Sequence, residues 1–249
     1  MKAKILLGVI AISSVVIFSI IACGQGVKSE AKSIPPITQE QKAISLKFKS
    51  VTVEDNTVNI SEDVIVKIFK QYEIEGNKYI IFTVKDDTEN LHSGVIIDKK
   101  IYDFGIVSMM GDKNSTDFYS IEELELYGKQ LVKIRGFLGA NYATTNYYFI
   151  ENQVPQVFLH SEGYTKEVDL GGDGIQEIVA STSLGAASFA DIYKYENGSF
   201  TVTNLNEALN AITVYLAETD GKVFEAYFKD LPNQPKHYEY TKLGLKELN

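Results

Sequence analysis

From Ile44 onward the chain alternates apolar and polar side chains in short bursts. Ile44, Leu46 and Phe48 are separated by Ser45, Lys47 and Lys49, the period of two that marks a half-buried strand. VIVKIF from Val64, YIIFTV from Tyr79, GVII from Gly94, LVKIRGF from Leu131 and NYYFI from Asn146 continue the series. VFL from Val157, EIVAS from Glu177, ADIYKY from Ala190, FTVTN from Phe200, ITVYLAE and KVFEAYF extend it. Glu75-Gly76-Asn77, Asn197-Gly198 and Asp220-Gly221 fall between such runs, and Asn-Gly is the strongest short hairpin signal. Two stretches read as helical. One is SIEELELYGKQ, Ser120 to Gln130, where Ser120 and Glu123 have the spacing of a capping box; the other is LNEALNA, Leu205 to Ala211. The pattern predicts a mainly β fold of antiparallel strands and hairpins, propeller-blade-like or sandwich-like, with one or two short helices. Crossover helices for a parallel α/β sheet are missing. The polar, turn-prone segment from Gly111 to Ser120 predicts a boundary that divides the folded part into 41–112 and 120–249.

The first residues follow a different rule. Lys2 and Lys4 precede an uncharged apolar run from Ile5 to Ile21, and that run ends in Ile20-Ile21-Ala22-Cys23-Gly24. This is a signal-peptide layout, with an uncleaved membrane helix as the alternative. The apolar pair, small residue and sole cysteine resemble the lipobox of bacterial lipoproteins. The resemblance implies that residues 1–22 are removed, that Cys23 carries the lipid, and that the protein faces the outside of the cell membrane to which it is anchored. Two acyl chains hold where one does not. Residues 23–40, polar and small with Pro35-Pro36, have too little apolar surface to fold. They predict a flexible tether that spans roughly 20 to 25 Å.

Composition then narrows the partners. The chain of 249 residues carries a formal charge of −9, and loss of residues 1–22, which hold two lysines and no acid, moves it to −11. Such a surface repels nucleic acid and anionic headgroups. Arg135 is the one arginine among 24 basic residues, and tryptophan is absent. Forked arginine recognition of phosphate is thereby essentially excluded.

VDLGGDGIQEIVA, Val168 to Ala180, is the densest cluster of acids and glycines. As an EF-hand from Asp169 it lacks an oxygen ligand at Gly171 and the glutamate at Ala180, and an apolar β-type run follows in place of a helix. The remaining D-x-x-x-D-G-x-x-E arrangement resembles the DxDxDGxxE turn of FG-GAP-type β-propeller repeats. That resemblance implies a weak calcium site formed by Asp169, Asp173 and Glu177, with Gly174 at the turn and Gly171 departing at the middle acidic position. The alternative is a tight turn in which the glycines take positive φ and the aspartates bond nearby amides. From the GFLGANYATTNYYFIENQVPQVFL stretch to the final tyrosines the chain also resembles Gram-positive bacterial lipoproteins with one such turn in a compact β domain.

Candidate chemistry is sparse. His92, His160 and His237 fall at expected strand ends or turns and lack metalloprotease spacing. No G-x-S-x-G elbow occurs, and the resemblance commits Cys23 to lipid. Tyr142, Tyr147, Tyr148 and Phe149 form an aromatic cluster; Tyr147 and Phe149 point one way along a strand and Tyr148 the other, so Tyr142 and Tyr148 are the candidate ligand-binding pair if both are exposed. The sequence thus reads as a membrane-anchored, extracytoplasmic binding module without chemistry of its own, with a cell-surface protein or glycan as partner. A cell-wall hydrolase with paired carboxylates is the rival.

Overall fold

The computed structural model describes residues 43–109, 118–139, 142–182, 188–217 and 221–248. Cys23 and Asp220 lie outside the described residues, as does most of the expected boundary segment. Among the described residues the period-two patterning is realised as eighteen strands with one short α-helix.

Nine strands form the first sheet: β2 Val58–Ile60, β3 Ile65–Ile74, β4 Asn77–Val84, β5 Asp87–Ile97, β6 Lys100–Ser108, β7 Tyr119–Leu126, β8 Lys129–Gly139, β9 Tyr142–Glu151 and β10 Val154–Glu162. Their order is β10-β9-β8-β6-β5-β4-β3, with β2 paired to β6 and β7 to β8. Strands on both sides of the 112–120 segment therefore share one sheet, and Glu40–Asn249 forms one compact unit. The join is a single parallel pair, Ser108 with Phe137; every other pairing in the sheet is antiparallel.

SIEELELYGKQ departs from its helical expectation. It forms β7 and the start of β8, paired residue by residue from Tyr119–Gly136 to Leu126–Lys129. Tyr127 and Gly128 close the hairpin with φ of 54° and 69°, the left-handed pair that a two-residue turn requires. Glutamate favours helix only weakly, and burial of Tyr119, Ile121 and Leu126 in strand geometry outweighs it. The Ser120 hydroxyl caps nothing and has no hydrogen-bond partner. LNEALNA does form a helix, α1 Leu205–Leu209, with the Asn204 side chain accepting from the Glu207 amide at 2.9 Å.

A five-stranded sheet contains β1 Lys49–Ser50, β11 Tyr164–Val168, β12 Glu177–Ser181, β13 Ala190–Glu196 and β14 Ser199–Asn204, in the order β1-β14-β13-β12-β11. Asn197-Gly198 turns between β13 and β14 as its sequence predicts, with φ of 53° and 81°. A third sheet runs β15 Thr213–Leu216, β16 Val223–Phe228, β17 Leu231–Thr241 and β18 Gly244–Leu248. Ile44 makes a single bridge to Leu245, so the alternation at 44–48 packs apolar side chains without a ladder of its own.

The five-stranded sheet is the middle layer, and its alternation shows this. Ile178, Ala180 and Tyr193 face Leu131, Tyr147 and Phe158 of the nine-stranded sheet, whereas Val179 and Ile192 face Val214, Phe224 and Tyr238 of the third. A strand buried on both faces has no polar alternate positions to display, which is why EIVAS reads as a nearly continuous apolar run. One charged pair sits between the first two layers. Lys133 Nζ lies 2.9 Å from Glu167 Oε1 and 3.1 Å from the Thr165 carbonyl, with the Lys133 side chain 7% exposed, and Tyr147 Oη donates to Glu167.

Candidate functional site

The acidic loop is closed at its base by the pairing of Val168 with Glu177. Within it the Asp169 carboxylate accepts from the amides of Asp173 at 3.1 Å and Gly174 at 3.0 Å. Asp173 accepts from the Ile175 amide at 3.0 Å. Those donors, Gly174 first, hold the Asp169 carboxyl below its usual range. Glu177 is buried and accepts from the Leu170 amide at 3.0 Å, while Lys194 Nζ stands 3.9 Å away; burial dominates and raises its carboxyl. All three carboxylates thus accept from the loop's own amides, an arrangement that fixes a tight turn. Among the described residues no group of three or more His, Cys, Asp or Glu side chains is placed to hold a metal ion.

Tyr142 and Tyr148 share a face of β9 but not an environment. Tyr142 is 39% exposed and Tyr148 only 4%. Tyr148 stacks on Phe104 of β6, ring centroids 3.9 Å apart and planes 10° from parallel. Tyr147 and Phe149, on the opposite face, pack into the core between layers. The aromatic cluster therefore belongs mostly to the interior, and Tyr148 matters as a wall.

That wall bounds a crevice of about 150 Å³. Ile106 of β6 and Leu138 of β8, on either side of the Ser108–Phe137 pair in sequence, both line it. Phe104 and Ile106 of β6, Leu138 of β8 and Val157 of β10 form its apolar lining. Thr144, Asn146 and Tyr148 of β9, with His160 of β10, supply polar groups, and the Glu54–Thr57 segment before β2 completes it with Glu54, Asn56 and Thr57. Asn146 and His160 are register partners, and the His160 Nδ1 lies against Asn146 Oδ1. Nδ1 facing a carbonyl oxygen carries the proton, which leaves Nε2 as an acceptor in the neutral ring. The Asp55 side chain fixes the turn by accepting from the Thr57 amide at 2.9 Å. Thr57 Oγ1 is buried and has no hydrogen-bond partner. A hydroxyl so placed lacks the compensation that buried polar groups normally find.

His92 is not a surface side chain at a strand end. It sits within β5, 12% exposed, with Nδ1 2.9 Å from Asp103 and Nε2 3.6 Å from Asp87. Asp87 is itself held by the Asn90 amide at 3.1 Å, Asp103 accepts from the Gly105 amide at 2.7 Å, and Phe82 packs 5.8 Å from the imidazole. Burial pulls the His92 pKa down, but the hydrogen bond and charge of Asp103, followed by Asp87, outweigh it, and the net shift is upward. A raised folded-state pKa means that the imidazolium's contribution is complete below the unfolded value near 6.5 and is lost as pH rises through the folded value. The melting temperature is therefore expected to fall as pH rises above about 6.5 and through the raised folded-state value, and His92→Gln should flatten that slope. Parallel pH profiles for the two proteins would exclude His92 as the cause.

His237 stays at the surface, 3.8 Å from Glu225. Sequence reasoning missed Glu54, Thr57 and Phe104 because nothing local links the segment before β2 to β6; two stretches nearly fifty residues apart bring them together. The apolar and polar pattern through IYDFGIVS is the signal that could have placed Phe104 on a strand.

No protein-family model matches this chain, and no curated protein or solved structure matches it. The class of protein is thus defined by the fold itself, a mainly antiparallel β chain layered in three sheets.

Proposed function

We propose that this chain is a lipid-anchored, extracytoplasmic binding module whose small polar ligand occupies the crevice between β6, β9 and β10. The carrying observation is the convergence of an apolar wall with Glu54, Thr57, Asn146 and His160, the Thr57 hydroxyl being buried without a partner. A few convergent polar groups on an apolar lining are the ordinary make-up of a ligand site. Glu54 is the one carboxylate among the lining residues, whereas glycoside hydrolysis with paired carboxylates needs two, flanking the scissile bond. That favours binding over hydrolysis. The address rests on the apolar run that ends in Ala22-Cys23.

Detergent partitioning of cells that produce the wild type or Cys23→Ala tests the anchor. The wild type is expected in the detergent phase and the variant in the medium. Equal membrane retention of both would replace the lipid with an uncleaved helix. Release of soluble fragments from purified wall polymer by the purified chain would overturn the non-catalytic reading.

A further inference from the structure

We infer that the crevice takes a neutral hexopyranose, a single uncharged sugar ring, an inference that rests on the binding reading above. Three features converge on this chemistry. The first is size. At about 150 Å³ the space is well below the roughly 300 to 1,000 Å³ of drug-sized sites, so it holds one small ring and not a peptide segment.

The second is charge. Neither lysine nor arginine lines the crevice, and Glu54 does. The fields of Asp55 and Asp103 also reach Tyr148 in its wall and, after burial, raise its phenol. An anion such as a phosphate or a uronate would enter against negative potential with no cation to meet it.

The third is the mixture of hydrogen-bonding roles. With Asn146 Oδ1 occupied by His160 Nδ1, the Asn146 amide is left to donate and His160 Nε2 to accept. Glu54 accepts, and the unpartnered Thr57 hydroxyl does either. A ligand amine only donates when charged, so the Asn146 amide would stay unmatched. Sugar hydroxyls both donate and accept and match the whole set, while the ring's C–H face lies against Ile106 and Val157. Phe104 and Tyr148, 8% and 4% exposed, form a closed floor and leave no open aromatic cage for an ammonium group.

The test uses the full-length protein in a detergent that has no sugar head group, with saturation-transfer NMR of four probes: methyl β-glucopyranoside, N-acetylglucosamine, glucosamine and glucuronate. At least one neutral probe is expected to bind with a dissociation constant on the order of millimolar, as a ligand of about a dozen heavy atoms with ordinary efficiency does. Glucuronate should bind at least about tenfold more weakly, because charge burial without a partner is disfavoured. Thr57→Val and Asn146→Leu should each weaken the neutral probe by about three- to tenfold, the effect of one lost hydrogen bond, with melting curves close to wild type. Glucuronate binding as well as the neutral sugars would overturn the inference, as would unchanged affinity in both variants or silence from both neutral probes. A response from glucosamine alone would overturn it too, yet leave the crevice as a ligand site.

Discussion

Gly136→Ala is expected to destabilise the protein by about 3 kcal/mol or more, at or beyond the upper end for overpacking. A Cβ at this position would overlap the Val107 carbonyl oxygen and press on the Val107 Cγ2. Val107 precedes Ser108, the residue through which β6 makes its one pair with β8, so the clash falls on the seam between the two halves of the nine-stranded sheet. Backbone cannot rotate out of the way as a side chain can. Relief would require β6 to move off β8, and the crevice beside them would widen with it. Gly171→Ala is the matched control, because its nearest neighbour would be an Asp173 carboxylate oxygen at 3.4 Å, an ordinary contact. Urea unfolding should leave the control within about 0.5 kcal/mol of wild type. Coincident midpoints for Gly136→Ala and wild type would show that the seam gives way without cost.

Lys133→Met is expected to cost about 3 to 5 kcal/mol, the range for removal of one partner from a buried ion pair. The lysine is 7% and the glutamate 19% exposed, so water can replace little of what each gives the other. Burial raises the Glu167 carboxyl, but the Tyr147 hydrogen bond and the Lys133 charge more than reverse this and lower it. Its stabilisation is therefore complete above the unfolded value and is lost as pH falls through the folded one. Without Lys133, Glu167 is left between two layers with only hydroxyl and amide donors. The double variant Lys133→Met with Glu167→Leu should recover much of the loss, since apolar replacement of a whole buried pair is often nearly neutral. A single variant as stable as wild type would remove the pair from the list of forces between the sheets. Failure of the double variant to improve on the single one would trace the loss to packing and not to charge.

The strands that alternation identified were legible because each could be read from its own residues. YIIFTV, LVKIRGF and NYYFI all lie within strands of the nine-stranded sheet, and Asn197-Gly198 turns where its dihedral freedom allows. Helix α1 was legible in LNEALNA for the same reason, and the structure adds caps from Asn204 and Asn210. SIEELELYGKQ was not. Its glutamates and Ser120 describe a helix, but the partner that makes it a strand is β8, and Tyr119, Ile121 and Leu126 find their burial only in the assembled sheet.

The same division runs through the site. The three acids of the 169–177 loop are close in sequence and stand out as a cluster; which atoms they accept from depends on how the loop closes over Val168 and Glu177. The exposure of Tyr142 and the burial of Tyr148 could not be read from β9, because Phe104, which covers Tyr148, comes from a strand some forty residues earlier. His92 looked like a polar side chain at a turn, and Asp103 on the neighbouring strand made it a buried cation partner. Sequence by itself determined the period of two, the hairpin turns and the acidic charge balance, because propensity, turn dihedrals and formal charge are properties of neighbouring residues or of composition. Tertiary structure alone decided the three-layer packing, the Lys133–Glu167 pair and the crevice, because burial and the meeting of distant side chains depend on which faces the folded sheets turn toward one another.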